Sequence, residues 1–205
     1  MRGIFRVSFG WLCGQYMRFA QGCHRKEISA RRKLRFTIME CLIFSDSHGY
    51  TGGMRRVLRS HPAADIVFFL GDGLSDLAAV MQEFPAHTYL SVRGNCDWQG
   101  RLPGVVVEKC AEITLEGTRI VYTHGDLYGV KYGEDGLCRL AEERRADIVL
   151  FGHTHCPYEK NLWQGDRLVR LFNPGSIGEP PDGVPSFGLL TLTGSAVLFS
   201  HGQLT

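Results

Sequence analysis

The chain has 205 residues, 44% hydrophobic and 21% charged, with a net charge of +2. That length buries a core without staples, and nothing approaches the roughly 20 consecutive apolar residues of a membrane span. The seven cysteines (Cys13, Cys23, Cys41, Cys96, Cys110, Cys138 and Cys156) are odd in number and form no CxxC pair, which argues against a disulfide framework and a thiolate zinc site and for a reducing, cytoplasmic setting.

Residues 1–38 carry nine Lys and Arg against Glu27 alone, whereas the remainder is acidic. Phe5, Phe9, Trp11, Leu12, Tyr16 and Phe19 interrupt this basic segment without a helical period. An Arg-rich, acid-poor start resembles an organellar transit peptide, and Val7 to Met17 has the length of a short signal core, although no small-residue cleavage site follows. The simpler expectation is that translation begins at Met39, because residues 39–44 form an opening strand by themselves. Two parts follow: a basic extension over 1–38 that adds no catalytic group, and a domain over 39–205.

Short apolar runs at Cys41–Phe44, Ile66–Leu70, Tyr89–Val92, Ile120–Tyr122 and Ile148–Phe151 read as strands buried on both faces. Between the first three, Gly52–Ser60 and Leu74–Phe84 have helical spacing. From Val105 to Tyr122 the pattern becomes antiparallel around the turn Glu116-Gly117. Glu134–Arg145 reads as a helix with a charged outer face, and the chain ends in hairpins around Gly165-Asp166 and Gly194-Ser195, separated by the Pro- and Gly-rich stretch 173–185. Two packed sheets with helices outside accommodate this order.

Each of the five apolar runs leads into a polar motif: Ser45-Asp46-Ser47-His48, Gly71-Asp72-Gly73, Gly94-Asn95-Cys96-Asp97, Thr123-His124-Gly125 and Gly152-His153-Thr154-His155. In a mostly parallel sheet these motifs share the carboxyl edge, where open α/β sheets place ligands. Asp46 and His48 stand at i and i+2, so in an extended segment they leave one face and can share a cation. His153 and His155 repeat that spacing. Asp72, between glycines that let a ligand approach, has two oxygens with which to bridge two cations about 3.5–4 Å apart. Asn95 offers a carbonyl oxygen and His124 an imidazole. Taken singly, Asp46-x-His48 is also a cap beside a surface histidine, Asp72 and Asn95 are also turn residues, and His124 is also a packed histidine; number and placement favour a metal centre.

The ordered motifs D-x-H, GD, GN-x-D, H-G and GH-x-H resemble the calcineurin-like metallophosphoesterases, and most of all their YfcE-type phosphodiesterase subgroup, from about residue 39 to the end. Val92-Arg93-Gly94-Asn95-Cys96-Asp97 and Asn173-Pro174-Gly175-Ser176 are also similar to that subgroup. The resemblance implies an α/β fold, a four-layer α/β/β/α sandwich. It implies one divalent metal ion on Asp46, His48, Asp72 and His155 and another on Asp72, Asn95, His124 and His153, with Asp46, Asp72, Asn95 and His124 at the catalytic centre. Imidazole and oxygen ligands suit Mn²⁺, Ni²⁺, Co²⁺, Fe²⁺ or Zn²⁺, and the resemblance puts manganese first.

The implied reaction is hydrolysis of a small phosphodiester by in-line attack of a hydroxide held by both metals. A phosphomonoesterase, a nucleotide pyrophosphatase and a non-catalytic scaffold of the retromer-subunit kind are the alternatives. Two departures from the wider family stand out. Cys96 replaces a histidine proposed to protonate the leaving oxygen, so leaving groups of low pKa are expected to be favoured, and Asp97 is left without its partner histidine. Asp126 follows His124-Gly125 where similar sequences often have histidine; it either adds a carboxylate near the second metal or caps a turn. No membrane partner is expected, the basic segment leaves nucleic acid open, and the antiparallel segments 158–172 and 187–200 offer edges for a homo-oligomer.

Overall fold

The computed structural model describes residues 38–205; apart from Ile38, the basic extension and the expectations attached to it lie outside the described residues. In chain order the elements are β1 (Met39–Phe44), α1 (Gly52–Ser60), β2 (Ile66–Phe69), α2 (Leu74–Glu83), β3 (Thr88–Ser91), β4 (Arg101–Leu102), β5 (Val105–Val106), β6 (Cys110–Leu115) and β7 (Thr118–Thr123). A 3₁₀ turn (Asp126–Tyr128), α3 (Asp135–Arg144), β8 (Ile148–Leu150), β9 (Pro157–Gln164), β10 (Arg167–Pro174), β11 (Ser186–Thr193) and β12 (Ala196–Gln203) complete them.

The strands form two five-stranded sheets, ordered β12-β11-β1-β2-β3 and β6-β7-β8-β10-β9, and a small β4-β5 ribbon. In the first sheet β1, β2 and β3 run parallel while β11 and β12 close the other side antiparallel. In the second, β7, β8 and β10 run parallel, flanked by antiparallel β6 and β9. Two-residue turns join the hairpins β6-β7, β9-β10 and β11-β12, whereas α1, α2 and α3 make the parallel crossovers β1-β2, β2-β3 and β7-β8. Between the parallel β8 and β10 the chain passes through β9.

Side-chain alternation sorts the apolar residues into three layers of core. Leu42, Phe44, Val67 and Phe69 face α1 and α2, meeting Met54, Val57, Leu58, Leu77 and Val80. Their neighbours Cys41, Ile43, Phe68 and Leu70 face the second sheet and pack on Ile120, Tyr122, Ile148, Leu150 and Phe172. Val121, Val149, Val169 and Leu171 turn outward to Leu137, Leu140 and Ala141 of α3. The result is the expected α/β/β/α order. One strand departs from its sequence reading: β3 is half-exposed rather than buried on both faces, because it is the last strand of its sheet. Among the described residues, no helix is long and apolar enough to cross a membrane.

Candidate metal centre

Five loops leave the carboxyl ends of β1, β2, β3, β7 and β8, and backbone hydrogen bonds lace them together. Asp46 N–H donates to Gly71 O at 3.0 Å, His48 N–H to Asp72 O at 3.2 Å and Gly152 N–H to His124 O at 2.9 Å. The expectation that Asp46 and His48, and likewise His153 and His155, leave one face of an extended segment is not met. All four have left-handed torsions, with φ of 56°, 44°, 67° and 60°, as does Asp72 at 58°. Among the described non-glycine residues seven have positive φ, and five of them are these candidates. Such torsions cost on the order of 1–3 kcal/mol each and persist where the surroundings impose them; here they turn the side chains inward from chains that are ending their strands.

The candidate ligands converge in two groups, and His48 and Asp72 also meet the Cys96 sulfur in a third that overlaps both. Asp46, His48 and His155 bring one ligand atom each within 4.8 Å of the others, and so do Asp72, His124 and His153. In the first, His48 Nε2 lies 3.3 Å from His155 Nε2, and Asp46 Oδ1 lies 3.2 Å from His155 Nε2 and 3.8 Å from His48 Nε2. In the second, His124 Nε2 lies 3.2 Å from Asp72 Oδ2, 3.1 Å from Asn95 Oδ1 and 3.1 Å from His153 Nδ1. Asp72 Oδ2 is also 3.9 Å from His48 Nε2, so it stands between the groups. Asp72 Oδ1 accepts the Cys96 N–H at 2.7 Å, while Oδ2 lies within 4 Å of both His48 and His124.

Backbone carbonyls orient two of the rings. His155 Nδ1–H donates to Glu179 O at 2.7 Å and His124 Nδ1–H to Leu70 O at 2.8 Å. Neutral rings so anchored present Nε2 lone pairs to the carboxylates. Asp46 Oδ1 is buried and receives no hydrogen bond, an arrangement that costs free energy unless a positive charge meets it. The donor set therefore fits divalent metal ions held by imidazole and carboxylate.

Electrostatics agree. Burial pushes the Asp46 carboxyl up, but His155, His48, His124 and the Ser45 hydroxyl together hold it well below the usual carboxylate range. Asp72 is also lowered, with burial opposed by His124 and the Cys96 N–H. Asp46 raises His48 and His155. His124 is raised although burial opposes it, through Asp72 and Asp46. His153 is lowered by burial, then by His124 and Lys131. The two carboxylates thus favour the protonated forms of His48, His124 and His155.

A supporting layer escaped the sequence reading. The Asp97 carboxylate accepts four backbone N–H groups, from Asp72 and Gly94 at 2.8 Å to Oδ2 and from Gly73 and Leu74 at 2.9 and 2.8 Å to Oδ1. Asp76 accepts the Ser47 hydroxyl at 2.6 Å and Gly49 N–H at 2.7 Å, fixing the His48 loop. Asn173 donates to Gly152 O at 2.9 Å and Thr154 Oγ1 at 3.1 Å, fixing the loop of His153 and His155. The Ser176 hydroxyl donates to Asp46 O at 2.8 Å. The Asn173-Pro174-Gly175-Ser176 motif was visible in the sequence, but its role depends on contacts up to 130 residues away.

At the two departures, Cys96 is an exposed residue whose thiol is pushed up to about 11 by partial desolvation and then by Asp72. Asp126 opens the 3₁₀ turn and pairs with Lys109 Nζ at 2.8 Å, so its charge is matched.

Residues 39–195 match the Calcineurin-like phosphoesterase superfamily domain. The chain is 34% identical over 161 residues to the probable metallophosphoesterase YsnB of Bacillus subtilis, covering 77% of this chain and 87% of that one. It is 30% identical over 173 residues to the phosphodiesterase YfcE of Escherichia coli strain K12, covering 75% and 88%. Among solved structures, Vacuolar Protein Sorting 29 from Cryptosporidium parvum superposes with a TM-score of 0.62 at 18% identity, covering 82% of this chain and 98% of that one, a likeness of fold alone.

Proposed function

The chain belongs to the calcineurin-like phosphoesterase superfamily, and from that premise we propose that it hydrolyses small phosphodiesters at a centre of two divalent metal ions. The observation that carries the reading is the pairing of two ligand groups across Asp72 Oδ2, with Asp46 Oδ1 buried and unmatched beside them. Asp46, His48, Asp72 and His155 would hold one ion, and Asp72, Asn95, His124 and His153 the other. When bound, the pair supplies an activated water and neutralises charge developing at phosphorus.

The chain's own groups do the rest. Asp46 and Asp72 stay ionised, because the histidines around them hold both carboxyls low. Two dications against two carboxylates would leave a charge of about +2, which favours a phosphodiester anion. Glu179 O and Leu70 O fix the rings of His155 and His124 so that Nε2 faces inward. No side chain is needed as a nucleophile. The name of YfcE supports diesters over monoesters, and the family resemblance puts manganese first among the ions that imidazole and oxygen ligands suit, with Ni²⁺, Co²⁺, Fe²⁺ and Zn²⁺ as alternatives. Cytoplasmic location is part of the same proposal, supported by the free cysteines among the described residues.

The test is metal content and diesterase rate, wild type beside Asp72→Asn. The wild type loaded with Mn²⁺ should hold about two equivalents and release p-nitrophenolate from a diester; the variant should lose ions from both groups and fall more than about 100-fold in rate. Activity confined to monoesters would replace the substrate class, and less than one equivalent in the loaded wild type would favour a scaffold.

A further inference from the structure

Cys96 stands where the two ligand groups meet. Its N–H donates to Asp72 Oδ1 at 2.7 Å, which fixes the residue beside that carboxylate. Its Sγ, a carboxylate oxygen of Asp72 and a ring nitrogen of His48 all lie within 4.8 Å of one another. This triad differs from the two groups assigned to the hydrolytic ions, yet it borrows one member from each.

The spacing suits a cation. Zinc sits about 2.0–2.3 Å from imidazole nitrogen, carboxylate oxygen and thiolate sulfur, which in a tetrahedral site sets the ligand atoms about 3–4 Å apart. His48 Nε2 and Asp72 Oδ2 already stand 3.9 Å apart, so a small rotation of the Cys96 side chain closes the set. Solvent reaches this exposed cysteine. Asn95 Nδ2–H donates to Sγ at 3.3 Å, an interaction that negative charge on sulfur strengthens. Cys156, the other exposed cysteine among the described residues, follows His155 directly yet belongs to no such triad.

We propose that Cys96, His48 and Asp72 form an inhibitory site for thiophilic divalent cations such as Zn²⁺ and Cd²⁺. Thiolate selects zinc-like ions, whereas carboxylate and carbonyl oxygens suit manganese. As the bond from sulfur to the ion forms, the thiol proton passes to solvent. Inhibition rests on the two-ion reading above: an ion drawn to the sulfur takes His48 from the first hydrolytic set and Asp72 from both. It also adds an anionic donor. Two dications against two carboxylates and one thiolate leave a charge of about +1 instead of about +2, which weakens the attraction for a phosphodiester anion.

Titrating the metal-free protein with about two equivalents of Cd²⁺ reads the site without turnover. The wild type and Cys156→Ala should develop the ultraviolet absorption of a thiolate–Cd²⁺ bond, and Cys96→Ala should lose it. Loss in Cys96→Ala but not in Cys156→Ala upholds the triad even where no ester is hydrolysed and the hydrolytic reading falls. Full absorption in Cys96→Ala overturns the proposal whatever the activity. Cys96→Ser gives the same decision if Cys96→Ala does not fold.

The inhibitory role is read on protein loaded with Mn²⁺, with bis(p-nitrophenyl) phosphate as substrate and each protein compared with its own rate before zinc is added. Zn²⁺ should halve the wild-type rate at a concentration at least about 10-fold below that needed for Cys96→Ala, the scale on which losing a metal contact changes affinity. Equal half-inhibition of the two proteins would mean that zinc acts by replacing manganese on the histidine and carboxylate sets, and overturns that role.

Discussion

The Asp97 carboxylate holds Asp72 by its backbone: Oδ2 accepts the Asp72 N–H at 2.8 Å across 25 residues of sequence. Three further N–H groups converge on the same carboxylate, so it anchors the β2 loop against the β3 loop. Asp97→Asn places an NH₂ group against backbone donors and should lower metal content and kcat together, by about 10–100-fold, the usual cost of losing a residue that orients a ligand. Because Asp97 is a positioning residue, the alkaline limb of the kcat profile should stay where the wild type has it. Disappearance of that limb would instead assign Asp97 the leaving-group proton.

Cys96 contributes through its backbone, which donates to Asp72 Oδ1. Its thiol, pushed up to about 11 by burial and then by Asp72, is a weak proton donor near neutral pH. Cys96→Ala keeps the N–H and should keep kcat for a p-nitrophenyl diester within about twofold, whereas esters of poorly departing alcohols should be slow in both proteins. A large loss in the variant would give the sulfur a direct role.

Metal removal should make stability depend on pH in a defined direction. His48, His124 and His155 are raised in the folded chain, so their contribution is complete below the unfolded value of about 6.5 and disappears as pH rises through their folded values. Asp46 and Asp72 are lowered; they contribute above the unfolded carboxylate value and lose that contribution as pH falls through their folded values. His153, lowered, opposes the other rings but is one against three. The chelated protein should therefore melt at a lower temperature at pH 8.5 than at pH 6.5, and Mn²⁺ should raise Tm more at the higher pH because it competes with fewer protons. Equal metal-induced gains at both values would contradict this balance.

Deleting residues 1–38 should leave metal content and diesterase kcat within about twofold, since all seven candidate ligands fall between Asp46 and His155. The family match begins at residue 39, where β1 also begins. Loss of activity by a folded, metal-loaded truncation would assign the basic extension a part in the reaction.

The five motif-bearing strands and the meeting of their side chains were legible because each is written locally, as an apolar run and then a polar motif, and the three helices because their apolar spacing is local too. What was hidden is non-local or torsional. The Asp97 clamp spans 25 residues, and the Ser176 contact to Asp46 spans 130. His153 presents Nδ1 toward His124, whereas the other three rings present Nε2, a choice made by ring orientation. The half-exposure of β3 follows from its place in the sheet order, which the residues Thr88–Ser91 do not encode by themselves.

The left-handed torsions at Asp46, His48, Asp72, His153 and His155 set folding against chemistry. Glycine would occupy those torsions with less strain, and asparagine tolerates them as well as any side chain. Exchanging a ligand histidine for either relaxes the backbone while it dismantles the metal centre, so loss of the ligand is the thermodynamically easier direction of drift. The fold would outlast its reaction, because these torsions suit the chemistry of Asp46, His48, Asp72, His153 and His155 and not the folding of the chain.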